Sequence, residues 1–314
     1  MKDIELTFGI PVYNAEEYIC DLLNCFKENA SINYEVIIVD DGSTDNSYNI
    51  CKKYENEIFK VFHKNNDGVS STRNYIISHS NGKWLTFIDA DDLIDFNAYI
   101  YLYKLIKNSN YNYCIGVFNN KKYKGLLKTK NKLSYLIENE IINSPCNKFY
   151  KLDILKKNRI SFNVEYSLGE DLLFNIDYYN RIPSRNIYFF YNGMYKMRTF
   201  NGSSLSRKYR ANKFEEKMEI NDTCRKYFNE VEILKSFEYI RIKNCFSCVL
   251  DIVKFPDKFP SSKIYINSLK KYKRRKYIVL NNFKTTFIYL AWYFMPASII
   301  YFFTKTYDVF RKWW

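Results

Sequence analysis

The sequence predicts an α/β fold built on a mostly parallel sheet, and three observations carry that expectation. Short apolar runs at Leu6–Ile10, Glu35–Val39, Phe59–His63 and Leu85–Ile88 alternate with stretches of helical periodicity. Two of these runs end in clustered acids, Asp40-Asp41 and Asp89-Ala90-Asp91-Asp92. Open α/β sheets hold their ligands at the carboxyl ends of strands, so acids there read as site residues. The chain has 314 residues, 47% of them hydrophobic, which suffices for a core in one large or two modest domains.

In chain order, Leu6–Ile10 is the first strand, and Pro11 is expected to end it because Pro fixes φ and lacks a donor. Asn14 with Glu16 and Glu17 reads as a helix cap with first-turn acids. Tyr18, Ile19, Leu22, Leu23 and Phe26 follow at helical spacing. After the second strand, Asp40-Asp41-Gly42-Ser43-Thr44-Asp45 has the size of a nucleotide-binding turn. An acid in that place accepts from a base N–H or a ribose hydroxyl. The alternative is a tight turn capped by Ser43 or Thr44. Neither a G-x-G-x-x-G nor a P-loop occurs, which counts against dinucleotide and NTPase sites.

Phe59–His63 is a third short strand, and a helix opens at Ser71-Thr72-Arg73-Asn74. Arg73 is placed to reach a phosphate or to pair with the acids, while His63 and His79 read as strand-end or surface residues. Trp84–Asp92 reads WLTFIDADD, an apolar run ending in three carboxylates within four residues. Carboxylates this close raise each other's pKa unless a cation intervenes, and a hard divalent ion takes oxygen ligands. The bland alternative is an acidic turn capping a helix from near Leu93.

The segments IPVYNAEEYI, VDDGSTD, GVSSTRN and FIDADD, in this order, resemble the family 2 glycosyltransferases, inverting enzymes of GT-A type. The resemblance covers roughly residues 4–200. It implies a GT-A catalytic domain at 1–205, with a mostly parallel sheet flanked by helices, and a helical C-terminal extension at 206–314. It further implies a nucleotide-diphospho-sugar donor, usually a UDP-sugar, and Mn²⁺ or Mg²⁺ as cofactor. Pro11 and Tyr13 match positions lining the base pocket, Asp41 the acid that holds uracil, and Arg73 a helix start beside the nucleotide. Asp89 and Asp91 match the D-x-D, with Asp91 the direct metal ligand. Asn147-Lys148-Phe149-Tyr150 resembles a segment near the sugar. Gly169-Glu170-Asp171 matches the family's ED motif, which makes Asp171 the catalytic base and Glu170 its fallback. On the residues alone, the same two acids are first-turn acids favoured by the helix dipole. Tyr195–Arg198, followed by Asn201–Ser204, resembles a segment that closes over the diphosphate, with Arg198 as a phosphate contact. The absence of a Q-x-x-R-W-like segment points to transfer of one sugar per encounter.

Charge divides the chain. Residues 1–100 hold 8 Lys and Arg against 17 Asp and Glu, whereas 101–314 hold 40 against 17. Without a recognisable nucleic-acid module, the basic part reads as a surface for anionic lipid and not for nucleic acid. Lys270–Lys276 carries six cations in seven residues. The uncharged run 285–304 contains Pro296 and seven hydroxyl residues, so it reads as peripheral or in-plane and as a poor span. A soluble helical subdomain or a homodimer contact are the alternatives for that run. Trp292, Trp313 and Trp314 suit a membrane interface.

The expected setting is the cytoplasmic face of the cell membrane, with the enzyme peripheral and beside a polyprenyl-diphosphate-linked saccharide acceptor. Met1–Glu5 leads straight into a strand, without a signal-peptide pattern. The eight Cys show no paired-knuckle spacing, and the lone Cys245-Phe-Ser-Cys248 reads as buried thiols in a reducing compartment. Two rival readings are a non-catalytic membrane-associated nucleotide-sugar scaffold and a sugar nucleotidyltransferase. The latter usually carries a Gly-rich basic loop where this chain has Pro11-Val12-Tyr13-Asn14.

Overall fold

Four parallel strands carry the acidic loops: β1 (Leu6–Val12), β2 (Tyr34–Asp40), β3 (Phe59–His63) and β4 (Trp84–Phe87), in the order β3-β2-β1-β4. In the computed structural model, the described residues are 3–27, 30–116, 125–126, 132–183, 187–190, 194–198, 213–254 and Pro296. All residues of β1, β2 and β4 are buried. Helices on a parallel sheet cover both faces, which is why these strands are continuous apolar runs and not alternating ones.

β1 does not stop before Pro11. The Gly9 carbonyl accepts from Ile88 on the β4 side at 3.0 Å, and the Val12 carbonyl accepts from Asp41 on the β2 side at 2.8 Å. Strand alternation therefore turns Pro11 toward β4, past Gly9, the last residue paired with β4. Its missing N–H leaves no ladder bond unmade, so the expected strand break does not occur.

The sheet continues from β4 through β8 (Lys148–Lys151), β6 (Tyr113–Gly116) and β9 (Ile187–Phe190) to β7 (Gly125–Leu126). β8 runs antiparallel to both β4 and β6, β6 and β9 are parallel, and β7 is antiparallel to β9. A separate two-stranded ribbon pairs β5 (Leu93–Ile94) with β10 (Tyr195–Lys196).

The helices of this first unit are α1 (Ile19–Leu23), α2 (Ser47–Lys52), α3 (Val69–His79), α4 (Phe96–Ile106), α6 (Leu152–Lys157) and α7 (Glu170–Arg181). Asn14 is not the cap of α1, whose N-cap is Tyr18. Asn14 instead turns the chain at φ 48° and accepts from the Thr44 backbone N–H at 2.9 Å, tying the loop after β1 to the loop after β2. Glu16 joins the same tie by accepting from the Asn46 N–H at 2.8 Å. Nor do the acids at 89–92 cap a helix at Leu93. That residue is in β5, and α4 starts at Phe96 with Asp95 accepting from the Ala98 N–H at 3.1 Å, a cap worth about 1 kcal/mol.

Aromatic side chains brace both halves of the sheet. Phe8, Phe26, Tyr34, Phe96 and Tyr99 pack around β1 with ring centroids such as Tyr34–Phe96 at 5.0 Å. Tyr113 and Tyr150 donate to Asn175 Oδ1 at 2.6 and 2.7 Å, while Asn175 Nδ2 donates to the Ile142 carbonyl at 2.7 Å. These bonds fix α7, the helix that begins with Glu170 and Asp171.

Residues 1–129 with 142–203 form one compact unit, and 130–141 with 204–314 form a second. A single boundary near 205 does not describe this division, because α5 (Lys132–Glu138) belongs with α8 (Lys213–Arg225) and α9 (Val231–Lys254). Ser236 donates to Glu138 at 2.7 Å, and Lys243 pairs with Glu140 at 2.8 Å. Cys245 and Cys248 are buried in α9, whereas Cys20 is exposed. No described helix is long and apolar enough to cross a membrane. Asn201–Ser204, Lys270–Lys276 and the run 285–304, apart from Pro296, lie outside the described residues, as do Trp313 and Trp314.

Gly9 lets α3 lie close on β1. A Cβ there would meet Ile76 Cγ2 at 2.5 Å and Phe87 Cδ1 at 3.3 Å. Gly9→Ala is therefore expected to cost about 1–3 kcal/mol through overpacking, read as a lower denaturation midpoint in urea. An unchanged midpoint would contradict the close packing of α3 on the sheet.

Candidate active site

After Phe87 the chain leaves the sheet through Asp89–Asp92, closed by the Asp92 N–H on the Asp89 carbonyl at 3.1 Å. Burial pushes the Asp91 carboxyl up, and the charge of Asp89 pushes it further. Asp92 is pushed up to about 6, chiefly by burial. It accepts from the Tyr195 hydroxyl at 2.7 Å and from the Arg198 backbone N–H at 2.9 Å, so it anchors the β10 segment beside the acid loop. The Tyr195 hydroxyl in turn accepts from the Asp89 N–H at 3.2 Å. The sequence singled out Tyr195 only as part of a segment. Its bridging role depends on a tertiary approach that no local pattern encodes.

The base candidate comes from α7. Gly169 sits at φ 86°, a left-handed conformation that Gly adopts readily, and starts α7 so that Glu170 and Asp171 occupy its first turn. Arg73 reaches them from α3. Its Nη1 donates to Asp171 Oδ1 at 2.7 Å and lies 3.9 Å from Glu170, while its Nη2 donates to Asp89 Oδ1 at 3.2 Å. Asp89 and Asp171 thus share one buried guanidinium. Removing Asp171 or Asp89 would leave the buried guanidinium with one fewer counter-charge. Burial pushes the Asp171 carboxyl up to about 7, with Arg73 opposing and Glu170 and Asp89 adding to the rise.

Lys148, in the segment Asn147–Tyr150, is fully buried, and its Nζ reaches the Cys146 carbonyl at 3.4 Å. Burial pulls its ammonium down to about 8, while the charge of Asp171 pulls it back up. The sequence singled out Lys148 only within the segment Asn147–Tyr150, and its burial depends on the pairing of β8 with β4 and β6.

On the nucleotide side, Asp41 is buried and accepts from the Asp67 and Gly68 N–H groups at 3.0 and 2.9 Å, and from the Lys64 ammonium. It thereby shapes the loop that opens α3. Asp40 is held by Ser43 and by His63 Nδ1 at 2.7 Å. Pro11 is buried within β1, whereas Tyr13 presents a ring that is 51% exposed. The Arg198 guanidinium pairs with Asp21 at 2.6 Å and lies over the Tyr18 ring at 5.5 Å. It is not bonded to the acids at 89 and 91, although its charge favours the ionised form of Asp91.

A hard divalent cation fits Asp89 and Asp91. Both offer carboxylate oxygens, the two charges disfavour one another, and among the described residues no cation lies within ion-pair distance of Asp91. Described side chains form no cluster of three or more ligands. Two carboxylates completed by phosphate and water are the set Mg²⁺-like ions commonly take.

A family model described as glycosyl transferase family 2 matches residues 7–166. The poly(ribitol-phosphate) beta-glucosyltransferase of Bacillus spizizenii is 29% identical over 187 residues, 56% of this chain and 30% of that protein. The poly(ribitol-phosphate) beta-N-acetylglucosaminyltransferase TarS of Staphylococcus aureus is 31% identical over 187 residues, 55% of this chain and 32% of that protein. The chain spans about a third of the length of these curated relatives. The crystal structure of S. aureus TarS 1-349 in complex with UDP-GlcNAc aligns with a TM-score of 0.65 at 20% identity, covering 98% of this chain and 92% of that one, and so shares the fold. The family match covers half of the chain, from β1 through α6 with the acids at 41, 89 and 91, and the chain belongs to glycosyl transferase family 2.

Proposed function

We propose that the chain moves one sugar from a nucleotide-diphospho-sugar, a UDP-sugar, to a hydroxyl of a surface saccharide or polyol-phosphate polymer, with inversion at the anomeric carbon. The observation that carries this reading is the meeting of Asp89 and Asp171 on the Arg73 guanidinium. It joins an acid of the D-x-D to the acid read here as the proton acceptor. The relatives named for poly(ribitol-phosphate) glycosyl transfer, and the related fold solved with UDP-GlcNAc, support the choice of donor and polymer.

Asp91, with Asp89, would hold Mn²⁺ or Mg²⁺, which supplies positive charge to the departing diphosphate. Asp171 Oδ1 is engaged by Arg73, which leaves Oδ2 to take the proton of the acceptor hydroxyl. The acceptor oxygen then bonds to the anomeric carbon, the bond from that carbon to the diphosphate breaks, and its electron pair leaves with the nucleoside diphosphate. Asp41 has about four lone-pair positions, of which Asp67, Gly68 and Lys64 use three. The remaining one serves a base N–H, and the exposed Tyr13 ring offers a face for stacking. Arg198 is held by Asp21, which is 60% exposed. Exposed pairs contribute only about 0–1 kcal/mol, so Arg198 is available to a phosphate.

Radiolabelled UDP-sugar turnover tests the assignment. Asp171→Asn should keep Mn²⁺-dependent UDP binding while transfer falls about 10²–10⁴-fold. Asp91→Asn should weaken that binding itself. Wild-type transfer by Asp171→Asn would place the base elsewhere.

Only ionised Asp171 accepts a proton, and burial raises its pKa to about 7. The kcat/KM profile should therefore lose rate as pH falls below about 7, close to tenfold per pH unit. A limb near pH 4, the ordinary carboxylate range, would contradict the buried base.

The basic tail supports a peripheral position at the inner face of the membrane, next to a polyprenyl-diphosphate-linked acceptor. Each cation near anionic lipid contributes about 1 kcal/mol, and Lys270–Lys276 carries six. Truncation after Leu269 should abolish co-sedimentation with anionic vesicles and spare transfer to a soluble acceptor. Unchanged co-sedimentation would refute the role of the tail.

A further inference from the structure

Arg73 is buried, only 5% exposed. Its guanidinium lies over the Phe162 ring at 5.4 Å. Phe162 stacks on Phe174 with centroids 3.9 Å apart and planes 9° apart. Asn74, the neighbour of Arg73 in α3, holds the Phe162 backbone from both sides. Its Nδ2 donates to the Phe162 carbonyl at 2.8 Å, and its Oδ1 accepts from the Phe162 N–H at 2.7 Å. Phe174 lies three residues after Asp171, on the same face of α7. The contacts therefore close a ring, from Arg73 to Asp171, along α7 to Phe174, across to Phe162, and back through Asn74 to α3.

A buried ion pair contributes little net stability compared with apolar packing, so the fold alone does not call for this arginine. Its planar fork does something a lysine cannot, because two nitrogens at fixed spacing take Asp89 and Asp171 together. We propose that Arg73, clamped by Phe162, is a positioning residue that sets Asp171 relative to Asp89, so that the acceptor oxygen meets the anomeric carbon in line. This departs from the nucleotide contact that the family resemblance implied for Arg73. It rests on the reading of Asp171 as the base.

The test separates kcat from donor binding in two variants of the full chain. Arg73→Lys keeps the charge and loses the fork, so kcat should fall about 100-fold while the Kd for UDP with Mn²⁺ stays within about threefold. Phe162→Leu leaves both charges in place and loosens the guanidinium, so kcat should fall about tenfold with the same unchanged Kd. Wild-type kcat in Arg73→Lys overturns the proposal. Loss of UDP binding in step with loss of rate also overturns it, assigning Arg73 to the nucleotide. If Arg73→Lys does not fold, Phe162→Leu decides, and an unchanged kcat there overturns the proposal. Asp171→Asn, measured alongside, keeps the two readings apart. Its retained activity removes the base assignment, whereas an inactive Asp171→Asn beside a fully active Arg73→Lys removes only the positioning role.

Discussion

The structure depends on one electrostatic constraint: three carboxylates, Asp89, Glu170 and Asp171, gather around a single buried guanidinium at the carboxyl edge of the sheet. Like charges this close are tolerable only with a cation among them. The guanidinium is out of water, where its attraction is strong, and both Nη atoms are bonded while Nε is buried without a hydrogen-bond partner among the described residues. Bringing these charges together requires β4, α3 and α7 to arrive at one place. The absence of a side chain at Gly9 lets α3 come down on β1. The Asn175 bonds hold α7, and the Tyr195 hydroxyl ties the acid loop to β10.

Arg73 uses one oxygen on each of its two bonded acids, which leaves both carboxylates half available. The proposed metal and proton roles fall to the second oxygen of each. The same arrangement raises the Asp171 carboxyl toward neutrality, because burial outweighs the attraction of the guanidinium. A base that ionises near its working pH combines a useful ionised fraction with a useful basicity. Lys148, buried on β8, adds a second positive charge to this environment without a direct bond to the acid.

Much of this was legible in the residues. Strand β3 occupies the expected span, and β2 and β4 differ from it by about a residue at their ends, since buried parallel strands have a plain apolar signature. The acids at 41, 89 and 91 stand at strand ends in the sequence, whereas Asp171 was singled out only through the family resemblance, its residues alone reading as first-turn helix acids. Local rules failed where tertiary pairing overrode them. Pro11 continues a strand because its neighbour on that side has already ended, and Asn14 bonds a loop in place of a helix end. Sequence patterns placed Arg73 either on a phosphate or on the acids, and only the fold brings Asp171 within its reach. Residues 130–141 join the second unit through α5, whose apolar positions look the same whichever unit buries them.

The most direct test is a crystal structure of the protein with Mn²⁺ and an intact UDP-sugar. The account expects Asp91 to coordinate the ion at about 2.1 Å, the diphosphate to bridge it, and the Asp171 carboxylate to face the anomeric carbon from the opposite side, still joined to Asp89 through Arg73. A nucleotide-sugar bound away from β4, or an Asp171 turned out of the cleft that holds the anomeric carbon, would contradict it.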